Sequence, residues 1–192
     1  MAYEVACALH APLDVFLVRK LGVPGREELA MGAIASGGVV ILNQDVINAL
    51  RISDDAVDEV TRAELIELHR RERHYRGDRP LPDIAGNDVI VVDDGLATGS
   101  TMQAGIAALR EEHPRSIVVA APVAARETCD LLRAEVDDVV CVRTPEPFQA
   151  VGLWYDNFSQ TTDDEVQQLL DAARECVHAS SPATGKAARK HE

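Results

Sequence analysis

Val89-Ile90-Val91-Val92-Asp93-Asp94-Gly95-Leu96-Ala97-Thr98-Gly99-Ser100-Thr101 is the stretch on which the fold of this chain turns. Four β-branched residues in a row predict a strand. A short polar loop follows, and Ser100 opens a helix predicted over 100–112. Beyond it the alternation continues with strand 116–121, helix 124–135 and strand 138–142. Strands alternating with helices of about ten residues or more imply a parallel sheet with crossovers. The loop after Val92 then lies at the carboxyl edge of that sheet, where open α/β folds bind their ligands.

The residue types in the loop say what kind of ligand. Ala97, Thr98, Gly99, Ser100 and Thr101 set backbone N–H groups and hydroxyls at a helix N-terminus, an arrangement that attracts an anion. Asp93 and Asp94 would repel a bare phosphate. They make sense if the ligand also offers hydroxyl groups or a bound cation, and a sugar phosphate does both. An isolated D-D-x-x-x-T-G could be a helix cap alone; behind Val-Ile-Val-Val the ligand reading is preferred.

Upstream, Ala2, Val5, Ala6 and Leu9 recur at helical spacing and Pro12 closes that helix. Residues 13–18 read as a buried strand, and Gly22-Val23-Pro24-Gly25 as a loop. Segments 30–36 and 39–42 flank Gly37-Gly38 and predict a β-hairpin, with a short helix over 43–50. Ser53 is the expected N-cap of a long polar helix reaching about Tyr75. Near the C-terminus, Thr162-x-x-Glu165 predicts a capping box that opens a helix over 163–178. The small, polar segment 179–192 reads as a disordered tail behind a domain spanning 1–178.

A net charge of -13 argues against a nucleic-acid or membrane-surface binder. The apolar runs, longest near 117–125, are too short to span a bilayer, and the opening residues show neither a basic leader nor an apolar signal core. Cys7, Cys129, Cys141 and Cys176 are scattered without a C-x-x-C pair, which fits reduced, mostly buried thiols and a cytoplasmic protein. The histidines lack any transition-metal spacing. One dense basic stretch, Arg70 to Arg79, stands in the acidic chain; it reads either as a phosphate or RNA docking site or as a solvated helix end.

The central stretch resembles the phosphoribosyl pyrophosphate (PRPP) motif of type I phosphoribosyltransferases: four apolar residues, two acids, then T-G-x-T. The lead-in Ile84-Ala85-Gly86-Asn87-Asp88-Val89 is similar to the family's approach to that motif. The resemblance implies an α/β fold, a parallel-sheet type I phosphoribosyltransferase core with a small hood and a β-hairpin loop. It implies that Asp93 and Asp94 hold the ribose diol, and that Ala97, Thr98, Gly99, Ser100 and Thr101 hold the 5-phosphate. Arg19-Lys20 followed by Gly22-Val23-Pro24-Gly25 resembles the mobile catalytic loop of adenine-type members, so Arg19 and Lys20 would neutralise departing pyrophosphate. Pro147-Phe148 through Val151-Gly152-Leu153-Trp154-Tyr155-Asp156 resembles the hood of purine members. Phe148 and Trp154 would then contact the acceptor base, and Asp156 would join Asp93 and Asp94 around Mg²⁺. The aromatic cluster could equally be a small satellite core.

The implied activity is Mg²⁺-dependent transfer of the 5-phosphoribosyl group of PRPP to a purine- or pyrimidine-like acceptor, by a cytoplasmic homodimer. Two departures open a second reading. Ala97 stands where members using 6-oxopurines carry an acid, which leaves the acceptor open. The family's first strand and pyrophosphate loop have no counterpart before Ala2, so an upstream coding segment is expected; without it, a catalytically weak or inactive PRPP- or nucleotide-binding regulatory module becomes the alternative.

Overall fold

Alternating strands and helices account for the second half of the fold, as the central motif predicts, while the first half builds an antiparallel sheet that its sequence signals only in part. The structure is a computed structural model that describes residues 1–77 and 79–178. The expected tail, 179–192, lies outside the described residues. In chain order the elements are α1 (Ala2–Leu9), β1 (Val18–Val23), β2 (Arg26–Ala35), β3 (Val39–Leu42), α2 (Gln44–Leu50), α3 (Asp54–Arg76), β4 (Asp88–Val92), α4 (Ser100–Glu111), β5 (Ser116–Val123), α5 (Arg126–Arg133), β6 (Asp138–Arg143) and α6 (Asp163–His178). The chain divides into two compact units: Met1–Asp14 with the chain from Thr162 onward, and Val15–Thr161.

In the larger unit β4, β5 and β6 form a parallel sheet in that order. On β5 the side chains of Ile117, Val119, Ala121 and Val123 are buried and alternate with half-buried positions, the period of a pleated strand. Ile117, Val119 and Ala121 meet Met102, Ile106 and Leu109 on α4 and Cys129 and Leu132 on α5, each set spaced three or four residues apart on one helix face. Burying a Leu or Ile in such a core is worth about 1.5–3 kcal/mol, so this cluster sets the position of everything attached to it. β4 leaves β5 after Val92↔Ala120, two residues before Pro122. Pro122 has no N–H to give, and it sits where the β4 ladder has already ended.

The antiparallel sheet β1-β2-β3 belongs to the same unit. The hairpin expected at Gly37-Gly38 is present: Ala35 pairs with Val39 across a single 3₁₀ turn, with Gly37 and Gly38 at positive φ. The strand expected over 13–18 is displaced, and β1 begins only at Val18. Its ladder partner is β2, and the two are joined by a two-residue turn, Pro24-Gly25, with Val23 opposite Arg26. Pro fixes φ at the first turn position and Gly25 supplies φ 73° at the second, the demand of a type II turn. What read as a loop is therefore the tip of a hairpin. Leu21, Val23, Met31 and Ile34 from this sheet pack with Ile47 of α2 and Val57 and Leu68 of α3. Asn43 and Ser53 cap α2 and α3 by accepting from Val46 N (3.2 Å) and Ala56 N (3.3 Å).

The basic stretch is absorbed by structure. Arg70 and Arg71 bond Glu67 on the same helix, holding its carboxyl down to about 2. Arg76 is buried: its guanidinium donates to Glu72 and to the carbonyl of Val15, while Arg79 donates to the carbonyls of Arg76 and Tyr75. Arg70 and Arg71 remain largely exposed, as at a solvated helix end.

The smaller unit pairs α1 with α6. The capping box is formed, with Thr162 N donating to Glu165 Oε2 at 2.8 Å and Glu165 N to Thr162 Oγ1 at 3.3 Å. Cys7 and Cys176 are joined in a disulfide with Cα atoms 5.5 Å apart. This corrects the expectation of four reduced thiols; a pair 169 residues apart carries no spacing signal. Cys129 is buried and Cys141 half-buried, both as free thiols. No helix among the described residues is long and apolar enough to cross a membrane.

Candidate active-site loop

The turn from β4 into α4 is held from below by a series of bonds to β5 and α5. Asp93 N donates to Ala120 O (3.1 Å), continuing the ladder one step. Leu96 is buried, and it bridges to Ala124: its N–H reaches Val123 O (3.0 Å) and its carbonyl accepts from Ala125 N (2.9 Å). Thr128 of α5, a buried hydroxyl, donates to the carbonyl of Ala97. Gly99 then turns the chain with φ 74°, and a Cβ there would come within 2.7 Å of Thr128 Cγ2. A side chain at 99 would meet both the left-handed backbone and this methyl group, so glycine is required twice over.

Gly99 is the N-cap of α4 and has no side-chain acceptor to offer the first-turn amides. Those N–H groups remain available to an outside acceptor, and the helix dipole favours an anion there. Thr98, Ser100 and Thr101 are exposed around them, with Ser100 Oγ 3.4 Å from Thr98 Oγ1. The residues expected to hold phosphate are thus together at one helix end.

The acid pair differs in environment. Asp93 is half-buried and accepts Asp94 N on Oδ1 at 2.8 Å; Asp94 is exposed. Burial pushes the Asp93 carboxyl above its ordinary range, the Asp94 N–H pulls it partly back, and the neighbouring Asp94 carboxylate raises it again. From the other side, Tyr155 donates its hydroxyl to the carbonyl of Asp94 at 2.5 Å. Gly95 lies against Val151, whose side chain fills the place any Cβ at 95 would take.

The hood segment is a single 3₁₀ turn, Val151–Trp154, followed by Tyr155 and Phe158 with ring centroids 5.1 Å apart. Phe158 also covers Gly152, where a Cβ would sit 2.8 Å from the ring. Part of the aromatic cluster therefore packs on itself, with Phe158 still 47% exposed. Trp154 stands outside these ring contacts and is 42% exposed; Phe148 is half-buried.

Arg19 and Lys20 lie side by side on β1 and are engaged elsewhere. Arg19 Nε bonds Glu64 of α3 at 2.5 Å, and Lys20 Nζ reaches Glu28 O at 3.3 Å and its carboxylate at 3.7 Å. These partners all lie outside the acid loop. Asp156 is exposed, and among the described residues no three His, Cys, Asp or Glu side chains converge as a metal site. Mg²⁺ rarely needs such a cage: one or two carboxylates with substrate oxygens suffice, and the oxygen-only pair Asp93 and Asp94 fits that chemistry.

A cleft of ≈ 470 Å³ lies at the opposite, amino-terminal end of β5, lined by Arg110, His113, Arg115, Glu135 and Asp137 among others. Its charges largely cancel, and Arg115 is already held by Asp88, whose carboxyl it lowers to about 2. Open parallel sheets bind at the carboxyl edge, so the loop is the better site.

Thr128, Gly95 and Tyr155 are the parts that sequence reasoning missed. Tyr155 stood only as a member of an aromatic cluster, and nothing in the spacing of Thr128 ties it to Ala97.

The comparisons agree with this geometry. The sequence model of the phosphoribosyl transferase domain matches residues 2–156. Two curated proteins of Mycobacterium tuberculosis, from strains CDC 1551 / Oshkosh and H37Rv and each named as a putative phosphoribosyl transferase, are 44% identical over 173 residues. That alignment covers 90% of this chain and 39% of theirs, so the chain spans well under half of these relatives. The crystal structure of the protein TT1426 from Thermus thermophilus superposes with a TM-score of 0.75 at 39% identity, covering 88% of this chain and 79% of that one. With its motif loop on the carboxyl edge of a parallel sheet and the family match running from residue 2 to residue 156, this chain belongs to the type I phosphoribosyltransferase family.

Proposed function

We propose that the chain binds PRPP and transfers its 5-phosphoribosyl group to a base-like acceptor with release of pyrophosphate. The observation that carries this is the acid pair set directly before a helix whose first-turn amides lack a side-chain cap. The 5-phosphate sits on the amides and hydroxyls of residues 97–101. The 2- and 3-hydroxyls of the ribose donate to Asp93 and Asp94. With both ends of the ribose 5-phosphate held, C1 is presented to an attacking ring nitrogen, and positioning of this kind lowers the barrier without any covalent step by the protein. Mg²⁺, held by the acid pair together with substrate oxygens, would neutralise charge on the diphosphate. The exposed indole of Trp154 offers a face for the acceptor base. A cytoplasmic location and a homodimer are part of the same proposal, on the family setting alone.

Binding without turnover is the second reading, and one observation favours it. Arg19 and Lys20, the cations expected at the pyrophosphate, already have carboxylate partners. Release of pyrophosphate from PRPP by the purified protein, with a panel of bases, separates the two.

The loop assignment has its own test. Thr98→Val with Thr101→Val keeps the shape and removes two hydroxyl donors to a charged group, so ribose 5-phosphate should bind about 1–3 kcal/mol more weakly in calorimetry. Equal affinity in wild type and variant would sink the assignment. In the same experiment Asp93→Asn should weaken ribose 5-phosphate and leave inorganic phosphate unaffected or slightly tighter. Because Asp93 titrates above its ordinary range, the diol-dependent part of binding should be present at neutral pH. It should fade as pH falls through that raised value, earlier than an ordinary aspartate would allow.

Trp154 is the only tryptophan, so its emission reports on the hood. Nucleoside monophosphates should shift or quench it, whereas ribose 5-phosphate should leave it nearly unchanged. Unchanged emission on confirmed nucleotide binding removes Trp154 from the base site.

A further inference from the structure

We propose that Tyr155 is a positioning residue for the acid pair, its hydroxyl fixing the Asp94 peptide and so the direction in which Asp94 meets the ribose diol. The proposal rests on the ribose-phosphate reading of the loop. Asp94 is exposed, so packing does little to hold its side chain. Its direction must come from its backbone, and the groups on both sides of its Cα are tied. The N–H donates to Asp93 Oδ1 at 2.8 Å, and the carbonyl accepts from Tyr155 Oη at 2.5 Å across 61 residues of sequence. The first bond also orients the Asp93 carboxylate, so one peptide segment organises both acids.

Two further contacts show that the hood is fitted to this loop. Gly95 leaves no space for a Cβ because Val151 occupies it, with Cγ2 and Cβ at 2.8 and 3.1 Å from that position and Cγ1 closer still. Phe158 packs on Gly152 and, at 5.1 Å, on the ring of Tyr155, so the phenol is supported from behind. The hood therefore grips residues 94–95 through one hydrogen bond and one close backbone approach. A rigid donor on a packed ring is what holds an exposed carboxylate within the tolerance that ligand contacts need.

Tyr155→Phe keeps the ring and removes only the hydroxyl. Calorimetry with ribose 5-phosphate should show a Kd raised roughly 3- to 10-fold, the effect of losing one orienting hydrogen bond. Inorganic phosphate, which makes no use of the diol, should bind within about 2-fold of wild type on the same ground. In an Asp94→Asn background the Tyr155→Phe change should have little further effect on ribose 5-phosphate, since its action passes through Asp94. Gly95→Ala, which presses the hood away through Val151, should reproduce the ligand-selective loss. Wild-type affinity of Tyr155→Phe for ribose 5-phosphate would overturn the proposal. So would equal weakening for both ligands, or full additivity with Asp94→Asn. A wild-type protein that binds phosphate but gains nothing from the ribose would overturn the loop reading itself, and this proposal with it.

Discussion

Arg76→Ala is expected to destabilise the larger unit by about 3–5 kcal/mol, the cost of breaking a buried ion pair from one side. Arg76 lies in the last turn of α3 with its side chain 6% exposed, and Glu72 one turn earlier is 14% exposed. Nη1 bonds Glu72 Oε1 at 3.1 Å, and Nη2 donates to the carbonyl of Val15. That second bond ties α3 to the segment leading into β1, which carries Phe16 and Val18 under Gly105 of α4. Alanine would strand a carboxylate and a carbonyl in a poorly hydrated place, and each unmade bond has its own desolvation cost. Denaturant titration should show the loss as a lower midpoint. The double change Arg76→Met with Glu72→Met should recover most of it, because an apolar pair of similar volume needs no partners. A loss below about 1 kcal/mol for the single variant would mean that Glu72 and Val15 find water instead, and that the guanidinium is not structural.

What could be read from the sequence follows the range of the forces involved. β4, α4, β5 and α6 were legible because their signals are local: a β-branched run, a glycine before a helix, a capping box formed within four residues. The acid pair and residues 97–101 came with them, since a loop between β4 and α4 has only one edge to occupy. β1 and β2 were harder. Arg26, Glu27, Glu28 and Leu29 are exposed and polar for the most part, so the outer half of β2 shows no apolar alternation. Pro24-Gly25 signals a turn, yet only the pairing of Val23 with Arg26 makes it a hairpin. The apolar residues of 13–18 suggest a strand, but a strand is defined by its ladder, and the first ladder partner is Val18 opposite Ala35. Tyr155 at Asp94, Val151 at Gly95 and Thr128 at Ala97 join segments 31 to 61 residues apart. Their residue types are ordinary at their own positions, and only the packed fold shows their purpose.

Reduction of the Cys7–Cys176 bond is expected to cost the α1–α6 unit about 2–5 kcal/mol. The two cysteines are 169 residues apart, and closing so long a loop removes much of the freedom of the unfolded chain, about 5 kcal/mol in the loop-entropy limit. α1 is only eight residues long, too short to persist as an isolated helix in water, and its buried residue is Ala6. The bond therefore holds an element that has little else to keep it folded, whereas α6 is twice as long and buries Leu170 and Ala173. Thiol titration of the unreduced, denatured protein should find two groups, Cys129 and Cys141, and four after reductant. Reductant, or Cys7→Ser, should then speed amide exchange across Ala2–Leu9 more than across β4 and β5, since the parallel sheet lies in the other unit. Four titratable thiols before reduction would show that the pair stays open in the purified protein. Exchange that rises equally in α1 and β5 would show instead that the bond stabilises the chain as a whole, and that the two units do not unfold separately.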